Sequence, residues 1–197
     1  MDIKTINTYN KMAKEYDEET VDFWDRFPRS ILDKFVNLVS GKILDIGAGP
    51  GRDGLLLKNS GLDVVCLDAS TEMVKIAKER GLVAIEGDFL DLPFENGSFD
   101  GVWSYTSLLH IPKSEVKSAF KEISRVLNAG GVLGLGLIEG EKELYKESSG
   151  INMERWFSFY TKEEIRGLFL EFGFEEVFFQ EFRPNNKNYL NFIAIKK

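Results

Sequence analysis

The chain of 197 residues holds one cysteine, one histidine and five prolines, and its basic residues are outnumbered by acids, 25 to 32, for a net charge of −7. Each shortage excludes something. A lone Cys66 closes no internal disulfide, so a reducing, cytoplasmic setting is expected. One histidine with one cysteine cannot furnish a soft-ligand site, and no metal is expected. No stretch approaches the ~18 apolar residues of a membrane span, and no signal-like apolar segment opens the sequence. No membrane partner is therefore expected. Binding nucleic acid requires clustered Lys and Arg, which the acidic balance does not favour. Internal repeats and low-complexity tracts are missing as well. With 43% hydrophobic and 29% charged residues, what remains is an ordinary globular composition, and the length suits one domain.

Against these absences stands Ile43-Leu44-Asp45-Ile46-Gly47-Ala48-Gly49-Pro50-Gly51, an apolar run ending in three glycines spaced by two. Glycines at a strand-to-helix turn let the backbone approach a ligand and adopt angles that side chains forbid. A second run, Val64-Val65-Cys66-Leu67-Asp68, ends in a carboxylate placed to accept ribose hydroxyls. The spacing discriminates between cofactors. A dinucleotide fingerprint reads G-x-G-x-x-G, and here Arg52 replaces its third glycine. The phosphate-loop ending Gly-Lys-Ser/Thr is missing too. Asp45 is ill placed beside a pyrophosphate and well placed beside an ammonium or sulfonium. An adenosine ligand with positive charge and no phosphate fits, which points to S-adenosylmethionine.

Apolar periodicity supplies the frame. Residues 1–40 read as an N-terminal helical arm, in which Ile31, Leu32, Phe35, Leu38 and Val39 share a face before Gly41. Strands are predicted at 42–46, 63–68, 82–86, 99–104 and 132–138, with helices near 52–60, 71–80 and 114–128. The link from Phe89 to Ser98 is too short for a crossover helix and predicts a loop or single turn. Residues 139–150, rich in Glu, Lys, Ser and Gly, read as a solvated loop or as a mobile cover over the site. Thr161 to Glu164 forms a capping box ahead of the stripe Ile165, Leu168, Phe169 and Phe172. Strands at 174–182 and 189–196, joined by a turn around Pro184-Asn185-Asn186, complete the pattern. Alternating strands and helices imply a parallel sheet covered on both faces.

Four segments in order carry a family likeness: Leu44–Gly51, Cys66-Leu67-Asp68-Ala69-Ser70, Gly87-Asp88-Phe89-Leu90-Asp91-Leu92-Pro93-Phe94, and Phe99-Asp100-Gly101-Val102-Trp103, with Gly130-Gly131-Val132-Leu133 after them. Over residues 41–138, and more loosely outside them, the chain resembles the class I S-adenosylmethionine-dependent methyltransferases of the small single-domain kind. The resemblance implies a Rossmann-like, doubly wound, seven-stranded and mostly parallel α/β sheet. Its strand order is 3-2-1-4-5-7-6 with strand 7 antiparallel. It divides the single domain into an arm or lid (1–40), a cofactor core (41–138), and a substrate loop, helix and terminal hairpin (139–197).

Candidate roles follow from that likeness and from residue chemistry. Gly47, Gly49 and Gly51 shape the loop, and Ala48 lies against the ligand. Asp45 orients loop amides or neighbours the methionine ammonium. Asp68 accepts from the ribose unless it caps the next helix, an office Ser70 can fill. The resemblance assigns Asp88 to the adenine amino group and the Phe89 amide to a ring nitrogen; the plainer reading is a turn aspartate bonding its own backbone. Ala69 and Met73 wall the adenine, although a Met at helical spacing is also ordinary core. Ser104 sits at the end of strand four, and Arg52 either reaches the site or pairs outside it. Tyr16, on an arm resembling the family's closing segment, is a candidate for the methionine carboxylate, with helix packing the alternative. His110 is the candidate general base, or a packed residue among Leu108, Leu109 and Ile111. Rings at Phe23, Trp24 and Tyr105 are candidates for the wall of an apolar substrate pocket, and Arg155 for recognising a substrate carboxylate.

The expected function is methyl transfer to a small molecule with release of S-adenosylhomocysteine, by a monomer or homodimer. The alternatives are a non-catalytic S-adenosylmethionine-binding regulatory protein and a nicotinamide-dependent oxidoreductase, the latter disfavoured by the glycine spacing. A protein or tRNA acceptor is disfavoured by charge. The chain lacks the Asn/Asp-Pro-Pro-Tyr/Phe segment of relatives that methylate nucleobases and glutamine amides.

Overall fold

The computed structural model describes residues 2–148, 151–184 and 186–197. Ser149, Gly150 and Asn185, which belong to the predicted loop and turn, lie outside the described residues. Four helices come first: α1 (Ile3–Lys11), α2 (Ala13–Thr20), α3 (Phe23–Arg26) and α4 (Ser30–Leu38). Then β1 (Lys42–Ile46), α5 (Arg52–Asn59), β2 (Asp63–Asp68), α6 (Thr71–Glu79) and β3 (Val83–Glu86) alternate. After the predicted loop come β4 (Phe99–Tyr105), a 3-10 turn (Leu108–His110), α7 (Val116–Val126) and β5 (Leu127–Ile138). The chain ends with β6 (Glu143–Ser148), β7 (Ile151–Ser158), α8 (Lys162–Glu171), β8 (Phe174–Phe182) and β9 (Tyr189–Lys196). No helix among the described residues is long and apolar enough to cross a membrane.

The main sheet runs β3-β2-β1-β4-β5-β9-β8, parallel from β3 to β5 and antiparallel at β9 and β8. Counting the two terminal strands as sixth and seventh of this sheet, its order is the expected 3-2-1-4-5-7-6. Period-two alternation sends neighbours to opposite faces. Leu44, Leu67, Val102 and Leu133 join α7 and α8 in one core. Ile43, Cys66, Trp103 and Val132 join α4 and α6 in the other. The capping box forms: Thr161 Oγ1 accepts from the Glu164 amide at 3.2 Å, and Glu164 Oε2 accepts from the Thr161 amide at 2.7 Å.

Two expectations are corrected. Residues 139–150 are not simply loop, because Glu143–Ser148 pairs antiparallel with β7 as a second, two-stranded sheet. Its stability is tertiary. Thr5 Oγ1 accepts from the Trp156 amide at 2.8 Å, and Thr8 Oγ1 donates to the Glu154 carbonyl at 2.9 Å, so α1 seats on β7. Strand five, predicted at 132–138, starts earlier, at Leu127, and takes in Gly130-Gly131, where pairing with β4 shifts between Phe99 and Gly101.

One pairing register bears directly on the site. Trp103 and Tyr105 of β4 stand opposite Gly134 and Gly136 of β5. A Cβ at either glycine would collide with the neighbouring ring. The glycines leave a furrow in which the two rings stack, centroids 5.6 Å apart and 9° from parallel. That furrow aims the Trp103 indole at the first residues of α5.

Candidate functional site

The carboxyl ends of β1, β2 and β4 open into a cavity of about 690 Å³, mouth included, where ligands of open α/β sheets bind. Its floor is the loop after β1. Gly51 has φ 81° and precedes α5 directly, and a Cβ there would run into Leu82. Gly49 differs. Its φ is 55°, but a Cβ would meet only Tyr16 Cε1, at 3.8 Å, on the cavity side. One glycine seats the helix; the other exposes backbone to the cavity.

Asp68 braces that loop. Its Oδ2 accepts from the Gly49 amide and its Oδ1 from the Ser70 amide, both at 2.8 Å. Burial raises its carboxyl above the ordinary value, against the pull of these backbone bonds. Ser70 itself caps α6, its hydroxyl accepting from the Met73 amide at 3.3 Å, so Asp68 keeps lone pairs toward the cavity. Asp45 is more confined. It is 2% exposed, and its Oδ2 meets no hydrogen-bond partner among the described residues. Burial first, and then the nearby Asp53, push its carboxyl well above the usual range. A buried carboxylate oxygen without a partner, in the wall of a cavity, calls for a cationic ligand atom. Both acids suit the cofactor inferred from the sequence.

The cavity brings together Tyr16, Asp45, Gly47, Ala48, Gly49, Arg52, Asp68, Ala69, Met73, Phe89 and His110. Three predicted residues stand apart. Gly51 supports the loop from beneath. Ser104 is fully buried, its hydroxyl 2.9 Å from that of Ser107, which in turn donates to the Ile46 carbonyl at 2.8 Å. Ser107 lines the cavity where Ser104 does not. Asp88 Oδ1 accepts from the Leu90 amide at 3.1 Å, the turn arrangement, and its residue lies outside the cavity lining. Met73 is 1% exposed, part of the core and of the wall at once.

Arg52 does both things asked of it, pairing with a carboxylate while facing the site. Its Nε donates to Asp53 Oδ1 at 2.6 Å, and its guanidinium lies 4.3 Å from the Phe23 ring centroid. Asp53 also accepts from Trp24 Nε1 at 2.7 Å and Trp103 Nε1 at 2.9 Å. Burial opposes ionisation of Asp53, but the Arg52 charge and these bonds win, and its carboxyl sits below the ordinary value. Sequence reasoning missed Asp53; the only signal was an acid beside Arg52 in the first turn of a helix.

The surroundings of His110 favour the packed alternative over a general base. Its Nδ1 is 2.6 Å from the Trp156 carbonyl, which can only accept, so Nδ1 carries the proton. The unprotonated Nε2 is taken up by the Tyr9 hydroxyl at 2.7 Å, and that hydroxyl accepts from Arg155 Nη1 at 2.9 Å. Burial pushes the imidazole down to about 3, against the help of the Trp156 bond. It is a neutral, committed ring at neutral pH. Burial also lifts the Tyr9 and Tyr16 hydroxyls above their ordinary values.

Tyr9, Tyr16, Thr20, Arg52, Thr106 and His110 also line a second, adjoining cavity of about 1100 Å³ with its mouth. Its remaining walls include Phe23, Phe27, Phe157 and Tyr189, with Arg155 and Lys187. Trp24, expected as a wall, instead lies behind it, 5% exposed, while Tyr105 lines the first cavity. Between the chambers sits Thr106, with φ 53°, the only non-glycine residue in the left-handed region among those described. Such a conformation is costly for a β-branched residue and clusters at functional sites. Its amide donates to the Gly136 carbonyl at 2.8 Å, which holds it there. No sequence pattern announced it.

Known proteins resemble this chain in sequence and fold. A profile of the family described as "Methyltransferase domain" matches residues 43–131. The chain is 37% identical over 125 residues to the sarcosine/dimethylglycine N-methyltransferase of Aphanothece halophytica, a match covering 58% of this chain and 44% of that protein. It is 31% identical over 149 residues to an uncharacterized methyltransferase of Staphylococcus carnosus, covering 72% of each. A crystal structure of a SAM-dependent methyltransferase from Methanosarcina mazei shares the fold, with a TM-score of 0.74 at 22% identity over 86% of this chain and 97% of the other. With a glycine-floored cavity walled by Asp45 and Asp68, and kinship running through most of its length, the chain belongs to the class I S-adenosylmethionine-dependent methyltransferase family.

Proposed function

We propose that this protein transfers a methyl group from S-adenosylmethionine to a small-molecule acceptor and releases S-adenosylhomocysteine. The observation that carries the reading is the pair of adjoining chambers: one bears the loop and acids suited to the cofactor, the other is walled by aromatic rings together with polar and charged side chains and is of metabolite size. The relative named for sarcosine and dimethylglycine also favours a small acceptor. Asp45 would answer the methionine ammonium, Asp68 the ribose hydroxyls, and Ala48, Ala69, Met73 and Phe89 would wall the adenosine. The bound cofactor supplies an electrophilic methyl carbon, so the protein's task is chiefly positioning. Tyr16, Arg52 and Thr106, shared by both chambers, stand where the two ligands would meet. His110 holds Tyr9 in place and takes no proton, so the acceptor lone pair must be available without its help.

The test is turnover with a methyl-labelled donor across a metabolite panel, alongside calorimetry with S-adenosylhomocysteine and NAD. Labelled product and affinity for S-adenosylhomocysteine are expected. Affinity without any methyl release would favour the regulatory reading, and affinity for NAD alone would overturn the cofactor assignment.

A further inference from the structure

Charge is distributed unevenly around the inner chamber. Among the described residues its lining carries three carboxylates, Asp45, Asp53 and Asp68, against one cationic side chain, Arg52, since His110 is neutral. A cofactor with a free amino-acid end brings one group of each sign into that space. Its ammonium can meet the unpartnered Oδ2 of Asp45. Its carboxylate enters among three acids, and a carboxylate taken out of water there needs a cation and hydrogen-bond donors.

Arg52 has the form for that task. Its Nε donates to Asp53 Oδ1 at 2.6 Å, and its guanidinium lies 4.3 and 5.8 Å from the ring centroids of Phe23 and Trp24. Asp53 is itself fixed by the indole N–H groups of Trp24, at 2.7 Å, and Trp103, at 2.9 Å. Only the Nε position is spent in this arrangement. Among the described residues neither Nη nitrogen of Arg52 makes a hydrogen bond, and the side chain lines both chambers. A guanidinium held at one edge and stacked on a ring presents its other N–H groups in the planar fork that matches the two oxygens of a carboxylate. Tyr16, the sequence's candidate for that carboxylate, offers a hydroxyl and no charge.

We propose that Arg52 receives the carboxylate of the cofactor's methionine end on its Nη nitrogens, with Asp53 as the positioning residue, so that the chain selects the amino-acid cofactor over its decarboxylated amine. This rests on the cofactor reading above and specifies how one end of that ligand is recognised. Asp45 and Arg52 then answer the two ends of a zwitterion, and the orphaned carboxylate oxygen and the unspent guanidinium edge are satisfied together.

The experiment is calorimetry on the full chain with two ligands that differ in one group: S-adenosylhomocysteine and S-adenosyl-3-thiopropylamine, the same molecule without its carboxylate. The unaltered protein should bind the first about tenfold or more tighter, the scale of hydrogen bonds to a charged group. Arg52→Gln should lower S-adenosylhomocysteine affinity about tenfold or more and leave the affinity for the amine undiminished, which closes the gap. A merely structural role would weaken both ligands alike and keep the gap, and that result overturns the proposal. Arg52→Lys keeps a charge and loses the fork, so it should narrow the gap without closing it. That variant decides the matter if Arg52→Gln does not fold, and a gap left whole by it counts against the proposal equally. Equal binding of the two ligands by the unaltered protein overturns it as well. Binding of neither ligand at millimolar concentration would instead overturn the cofactor reading itself.

Discussion

Asp53→Ala removes one carboxylate and strands three donors. Arg52 Nε, Trp24 Nε1 and Trp103 Nε1 all converge on it within 2.9 Å. Trp103 is fully buried and Trp24 is 5% exposed, so neither indole can turn to water. Breaking a buried ion pair costs about 3–5 kcal/mol, and each orphaned buried donor about 1–3 kcal/mol. These terms share one acceptor and do not add, and Arg52 keeps 17% side-chain exposure, which softens its part. We expect a loss of about 4–6 kcal/mol, comparable to the whole stability of many domains of this size. Asp53→Asn keeps an acceptor but loses the charge and should cost about half as much. Urea unfolding followed by tryptophan fluorescence measures both. A double-mutant cycle with Arg52→Ala should return a coupling of about 1.5–3 kcal/mol. Because Asp53 is held below its ordinary pKa of 3.8, its contribution is present above that pH and fades as the solution is acidified through the lowered value. An Asp53→Ala protein within about 1 kcal/mol of the unaltered one, or a cycle coupling near zero, would refute the account of Asp53 as the anchor of Arg52.

Asp68→Ala should weaken S-adenosylhomocysteine binding by about 1–3 kcal/mol; an unchanged dissociation constant by calorimetry removes Asp68 from the site. His110→Gln should leave turnover within about tenfold, since a ring at pKa about 3 is no base at neutral pH; a loss of a thousandfold or more would restore it as one. The same variant tests linkage. Between pH 6.5 and about 3 the unfolded chain binds a proton that folded His110 refuses, so stability falls as pH drops, by up to ~1.4 kcal/mol per unit. Comparing urea midpoints at both ends of that window, His110→Gln should show the shallower decline, and equal slopes would sink the assignment. Gly49→Ala and Gly51→Ala both force a left-handed Cβ, at roughly 1–2 kcal/mol, yet only Gly51→Ala also drives a methyl into Leu82. Thermal melts should therefore fall further for Gly51→Ala, and equal losses would contradict the packing beneath the loop.

Local chemistry made much of this protein legible. The alternation of short apolar runs with helical stripes was enough for the sheet and its two covers, because burial on both faces demands those periods. The glycine spacing and the aspartates closing β1 and β2 were enough for the cofactor class, because backbone approach and charge are properties of residues adjacent in the chain. Tertiary structure alone decided the rest. The β6–β7 pair has no strong alternation of its own and forms where α1 seats on it. Asp53 became a hub because glycines in β5 make room for the Trp103 ring that reaches it. Ser104 gave way to Ser107 because β4 ends in a left-handed Thr106. His110 owes its lowered pKa to burial, and its two ring nitrogens to partners 46 and 101 residues away. Hydrogen-bond partners so distant in sequence, and the burial that sets a pKa, exist only once the chain has closed on itself.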